Sequence, residues 1–219
     1  MLILSNLKKQ YESKVVFENL NNTIQDGSIV ALKGKNGVGK TTLLNIIGGL
    51  INFDGDVLFN DISLKNNFPE YISKVSFLSN ESFSYQYLSL EEMIEMLYKI
   101  MSKVQKESLD RSEVNYLIEL LELNEYRDVM IRNLSLGTRQ KVSIVANMLD
   151  KPSIILLDEP FVNLDDRSVS NLLEYLKDYI CKNRSIMIYS THSKDSRLDE
   201  FTSDILQIED YTTFIYKEV

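Results

Sequence analysis

Gly34-Lys35-Asn36-Gly37-Val38-Gly39-Lys40-Thr41-Thr42 decides how the rest of this sequence is read. The nonapeptide matches G-x-x-x-x-G-K-[ST], a loop whose backbone N–H groups converge on phosphate oxygens. Three of the chain's eight glycines fall in it, where a Cβ would obstruct that convergence. Its setting is also the required one. An apolar run at residues 28–33 reads as a strand leading in, and Thr42-Leu43-Leu44-Asn45-Ile46-Ile47 reads as a helix leading out. The N-terminus of that helix adds partial positive charge at the same place. Average residue frequencies give such a pattern by chance in roughly one chain in a hundred of this length. The reading is a nucleoside triphosphate site in which Gly34 to Thr42 bind phosphates, Lys40 reaches the β- and γ-phosphates, and the Thr41 hydroxyl ligates Mg²⁺.

Outward from the loop, short Val-, Ile- and Phe-rich runs predict strands at 2–7, 14–17, 28–33, 56–59, 74–78, 153–158 and 185–190. The last two are almost continuously apolar, as parallel strands covered on both faces are. Residues 204–208 and 212–216 predict a hairpin around Glu209-Asp210-Tyr211. Between about Leu90 and Met148 the period becomes helical: Met93, Ile94, Met96, Leu97, Ile100 and Met101, then Val114, Leu117, Ile118 and Leu121. These stripes read as helix packing. The fold class is α/β, a P-loop core with a mostly parallel sheet, an N-terminal antiparallel part, and a helical subdomain inserted at about 85–150 of one 1–219 domain.

Ile154-Ile155-Leu156-Leu157-Asp158-Glu159-Pro160 is a buried strand ending on two carboxylates. In P-loop enzymes the first, here Asp158, holds the Mg²⁺ shell. Successive strand residues face opposite sides, so Glu159 takes a different job, that of orienting or deprotonating the attacking water. The only histidine, His192, follows the apolar run 185–190 directly. That is the carboxyl edge of a parallel strand, where ligand sites gather in open α/β sheets. A neutral imidazole there is placed to hydrogen-bond the γ-phosphate.

The 219 residues are 44% hydrophobic and 26% charged with a net charge of −8, which suits a globular domain and argues against broad nucleic-acid binding. The single cysteine, Cys181, excludes an internal disulfide. No window approaches the roughly 18 apolar residues of a membrane span. Any action at a membrane therefore needs a separate polypeptide to do the spanning.

Asn133-Leu134-Ser135-Leu136-Gly137-Thr138-Arg139-Gln140-Lys141, about twenty residues before the acidic strand, separates the P-loop classes. It resembles the LSGGQ signature of ABC ATPases, and the resemblance covers essentially the whole chain in that family's motif order. The resemblance implies ATP and Mg²⁺ as ligands and a head-to-tail pair of copies, or of this chain with a related ATPase. Two ATP molecules would be sandwiched so that each phosphate loop faces the partner's Ser135 and Gly137. It also implies that Tyr11 stacks on adenine and that Asp165, in Phe161-Val162-Asn163-Leu164-Asp165-Asp166, spans the interface. Asn80 stands where the family has a glutamine that touches Mg²⁺ and the attacking water; its amide is one methylene shorter, and Gln86 is six residues off. Leu136 and Thr138 also depart from the signature.

The family resemblance implies an ATPase held at the cytoplasmic face of the membrane by a separate transmembrane permease. Its signature looks like those of small export systems, and export is the expected direction. The competing soluble ABC-type ATPase, acting on nucleic acid or ribosomes, is disfavoured by the acidic charge and by the lack of coiled-coil insertions or a tandem ATPase domain. A GTPase or a nucleotide kinase is disfavoured because no N-K-x-D motif is present and neither would explain the signature motif.

Overall fold

A computed structural model describes residues 1–79, 85–105, 111–193 and 195–219. The chain divides into two compact units, one made of 1–79, 152–160 and 176–219, the other of 80–151 and 161–175.

In the first unit, β1 (Leu2–Tyr11) pairs antiparallel with β2 (Lys14–Ile24) and with β4 (Asp54–Phe59), and β5 (Ile62–Ser63) completes a four-stranded sheet in the order β2-β1-β4-β5. The second sheet has the order β10-β9-β3-β8-β7-β6, from β3 (Ile29–Lys33), β6 (Val75–Leu78), β7 (Ile154–Asp158), β8 (Ile186–Ser190), β9 (Asp204–Ile208) and β10 (Phe214–Glu218). Every neighbouring pair in it is parallel except β9 with β10. All five residues of β7 and all five of β8 are buried, which is why both runs lack alternation.

Helix α1 (Lys40–Ile47) joins the two sheets into one core. Its Leu43, Leu44, Ile46 and Ile47 cluster with Leu2, Leu4 and Phe17 from one sheet and Val30, Leu32 and Ile188 from the other. Each such buried side chain contributes about 2 kcal/mol of transfer free energy. Short helices α2 (Phe68–Ile72) and α7 (Ser196–Phe201) complete this unit, together with the end of the long helix named below.

The N-terminal strands run further than the sequence pattern indicated, to Tyr11 and from Lys14 to Ile24 rather than 2–7 and 14–17. Asn6 and Asn19 take left-handed backbone angles, φ 49° and 63°, and the β1–β2 register shifts between Leu4 and Leu7. Such irregularities break the two-residue period from which a strand is read. The last strand begins at Phe214, not 212. The Asp210 carboxylate accepts the amides of Thr212 and Thr213 at 2.8 and 2.7 Å, so both threonines belong to the turn.

The second unit is helical: α3 (Leu90–Gln105), α4 (Ser112–Leu120), α5 (Leu136–Met148) and the first half of α6 (Asp166–Asn183). Helix α3 starts in a capping box. Ser89 Oγ accepts the Glu92 amide at 3.2 Å, and Glu92 Oε2 accepts the Ser89 amide at 2.8 Å. Its buried stripe is Leu90, Met93, Ile94 and Tyr98. Ile100, assigned to that stripe from the sequence, is instead exposed. On α4, Val114, Leu117 and Ile118 are buried as the period requires.

Candidate functional site

The phosphate loop leaves β3 and enters α1 through Gly39, whose φ of 118° no side-chain-bearing residue adopts comfortably. A Cβ there would also lie 2.7 Å from Val16 Cγ1 and 2.8 Å from Phe17 Cζ. Loop residues Lys35, Asn36 and Gly37 are exposed, and Gly34, Val38 and Thr42 are half-buried. Lys40 turns inward and is buried. Its Nζ donates to the carbonyls of Gly34 at 3.0 Å and Lys35 at 3.2 Å. Burial pushes the Lys40 pKa below its ordinary value, opposed by the charges of Glu159 and Asp158.

Strands β7 and β8 deliver the acidic side. Thr41 Oγ1 donates to Asp158 Oδ2 at 2.8 Å, and Ser190 Oγ donates a short hydrogen bond to Asp158 Oδ1. Ser190 Oγ also accepts the Glu159 amide at 3.0 Å. Glu159 lies one residue beyond β7 with φ 53°. Glu159 is therefore outside the strand pleat that was expected to separate its role from that of Asp158. A left-handed turn, not strand alternation, sets the direction of the second carboxylate. His192 Nε2 lies 3.4 Å from Glu159 Oε1, and the His192 amide donates to Glu159 Oε2 at 3.3 Å. The structure thus gathers Lys40, Thr41, Asp158, Glu159 and His192 at the carboxyl edge of the parallel sheet.

These residues fit a nucleoside triphosphate with Mg²⁺. A hydroxyl and a carboxylate in contact form the hard-oxygen donor set that Mg²⁺ takes. A buried ammonium beside the first turn of α1, a turn without acidic residues, suits anionic phosphate oxygens. Tyr11 ends β1, half exposed, with Lys9 Nζ 4.5 Å from its ring centroid.

The signature residues lie in the helical unit. Ser135 is the N-cap of α5: its Oγ accepts the Thr138 amide at 3.1 Å and contacts Thr138 Oγ1 at 2.8 Å. The close approach at Gly137 is to the chain itself, since a Cβ there would strike the Asn163 carbonyl oxygen. The Asp165 carboxylate caps α6, accepting the Ser168 amide at 2.9 Å and Ser168 Oγ at 2.7 Å, and pairs with Lys141 Nζ at 2.9 Å. Those bonds hold its pKa well below the usual carboxylate range. Asn80 lies outside the described residues.

Sequence reasoning missed Ser190 and Lys141. Ser190 is fully buried; a hydroxyl closing an otherwise apolar strand, two residues before the only histidine, was its available signal. Lys141 offered none beyond helical spacing from Gly137.

The profile of the ABC transporter family matches residues 17–162. A Staphylococcus haemolyticus (strain JCSC1435) protein bearing the name hemin import ATP-binding protein HrtA is 32% identical over 203 residues, 89% of each chain. A solved structure of the ATP binding subunit of an ABC transporter aligns with a TM-score of 0.89 at 23% identity, covering 100% of this chain and 90% of that one. The dimeric cassette MJ0796 bound to ADP and Pi aligns at 0.84 and 24% identity, covering 100% and 98%. Among the described residues no helix is long and apolar enough to cross a membrane. The α/β fold with its phosphate loop, the family profile and the relatives agree: this chain belongs to the ABC transporter family as an ATP-binding, ATP-hydrolysing subunit.

Proposed function

We propose that this subunit binds ATP with Mg²⁺, that two copies close head to tail on two ATP molecules, and that closure drives a substrate through a separate membrane subunit. The observation that carries the reading is the Thr41–Asp158 contact with Lys40 and Glu159 beside it. Lys40 and the amides opening α1 hold the β- and γ-phosphates. The Thr41 hydroxyl and the Asp158 carboxylate hold Mg²⁺, which when bound neutralises phosphate charge. Glu159 accepts a proton from the attacking water, and His192, on the far side of that carboxylate, orients it. Tyr11 carries the adenine. The hydroxyl of Ser135 and the N-terminus of α5 face the ATP of the partner copy.

The membrane subunit accounts for the placement of the chain at the membrane, since the described helices supply no span. Direction belongs to that subunit as well. The signature points to export and the relatives' name says import, and both directions use the same nucleotide chemistry.

The test uses the Glu159→Gln variant. With ATP and Mg²⁺ it should run at twice the monomer mass in light scattering, and with ADP at the monomer mass. A variant that binds ATP yet stays monomeric, with the membrane subunit present as well as without it, overturns the proposal. Uptake by vesicles holding the membrane subunit reads direction.

A further inference from the structure

The signature turn and the segment around Asp165, both of which the family resemblance puts at the interface between copies, are fastened together within one copy. Lys141 lies on α5, four residues after Gly137, on the same helical face. Its side chain is only 12% exposed, and its ammonium meets the Asp165 carboxylate at 2.9 Å. That carboxylate also caps α6 through Ser168, and Ser168 is buried. One turn before Lys141, Gly137 presses so closely on the Asn163 carbonyl that no larger residue fits without movement. Asn163 itself has φ 71°, a conformation a non-glycine residue keeps only where its surroundings hold it. The segment 161–165 is thus pinned to the first turns of α5 at two points, a backbone contact and an ion pair.

The consequence comes from chain order. Segment 161–165 follows Glu159 with only Pro160 between them. Whatever moves Ser135 and Gly137 therefore pulls on the residues that leave the Glu159 carboxylate. We propose that Lys141 is a positioning residue for hydrolysis: through Asp165 it makes the signature turn and the segment after Glu159 move as one piece. This rests on the head-to-tail reading above. In that arrangement the signature turn touches the ATP of the partner copy while Glu159 serves its own, so the pair transmits closure at one ATP to the carboxylate at the other.

The variants separate this role from plain stability. Lys141→Met keeps the buried stem and removes the charge; Asp165→Asn removes the charge and keeps an N-cap acceptor. Each should lower kcat for ATP about tenfold with KM nearly unchanged, and should flatten toward a hyperbola the sigmoidal dependence of rate on ATP that closure on two ATP molecules predicts for the wild type. The double variant should be no slower than either single one, and Lys141→Arg should recover most of the rate. A purely structural pair would lower the melting temperature but leave kcat, measured well below it, and the sigmoid as in the wild type. That result overturns the proposal, as do losses that multiply in the double variant. Should Lys141→Met fail to fold, Asp165→Asn and Lys141→Arg decide alone. The Glu159→Gln dimer is the separate control: if it forms while the Lys141 variants behave as wild type, only the positioning role falls.

Discussion

The Glu159 carboxylate and His192 meet twice, Nε2 to Oε1 at 3.4 Å and backbone amide to Oε2 at 3.3 Å. One contact uses a side chain and the other the backbone of β8's extension. The carboxylate is therefore oriented even when the imidazole is removed. His192→Ala should consequently cost less activity than Glu159→Gln. The acid-to-amide change should reduce steady-state ATP hydrolysis by about 10²–10⁴-fold while calorimetric ATP binding persists. Near-normal turnover in Glu159→Gln would remove that residue from the base role.

Lys40 gives a pH dependence with a definite sign. Its folded pKa lies below the ordinary 10.5 because of burial. Between the lowered value and 10.5 the unfolded chain binds more protons, so stability rises with pH across that window. At neutral pH the buried ammonium costs stability in full. Lys40→Met should then melt higher than wild type at pH 7 without nucleotide, and the gap should close above pH 10.5. Phosphate oxygens favour the ammonium, so ATP binding within the window should take up protons. Calorimetry in buffers of different ionisation enthalpy reads this uptake, and Lys40→Met should abolish it.

Thr41 and Asp158 share one hydrogen bond and are the proposed Mg²⁺ ligands. Chelation of divalent ions should stop hydrolysis. Thr41→Ala should shift the Mg²⁺ dependence of activity to higher concentration, about tenfold if one oxygen contact is worth about 1.4 kcal/mol. Thr41→Ser, which keeps the hydroxyl, should not. An unchanged Mg²⁺ titration in Thr41→Ala would take that side chain out of the metal shell.

Ser190 is the buried hub between the two acids, donating to Asp158 and accepting from the Glu159 amide. Ser190→Ala leaves the part-buried Glu159 amide without its acceptor and Asp158 without one of its donors, which costs about 1 kcal/mol. The variant should melt lower and hydrolyse ATP more slowly. Ser190→Thr should be milder in rate than Ser190→Ala if the hydroxyl carries the effect.

The phosphate loop, the acidic strand and the lone histidine were legible because each sits at a junction that sequence marks. Glycines, a run of buried aliphatics and an abrupt polar residue all survive without knowledge of neighbours. What stayed hidden depends on partners far along the chain. Ser190 reads as an ordinary strand end until Asp158 is placed across the ladder from it. Lys141 looks like any surface cation until Asp165 is brought to it. The full length of β1 and β2 was hidden for a different reason, since Asn6 and Asn19 interrupt the alternation at which a strand is recognised. The exposed Ile100 shows the converse: a matching period does not make a residue part of the core.

The contact of Gly39 with Val16 and Phe17 extends the phosphate site into a strand whose residues look like mere packing. Phe17 is buried, twenty-two positions upstream of Gly39, yet its ring limits how α1 begins. A substitution such as Phe17→Leu would withdraw that support and loosen the grip on the triphosphate before it unfolded the domain. Screens that sort variants by distance from the ATP-contacting residues would file it as a folding defect, although its first symptom would be a weaker nucleotide affinity.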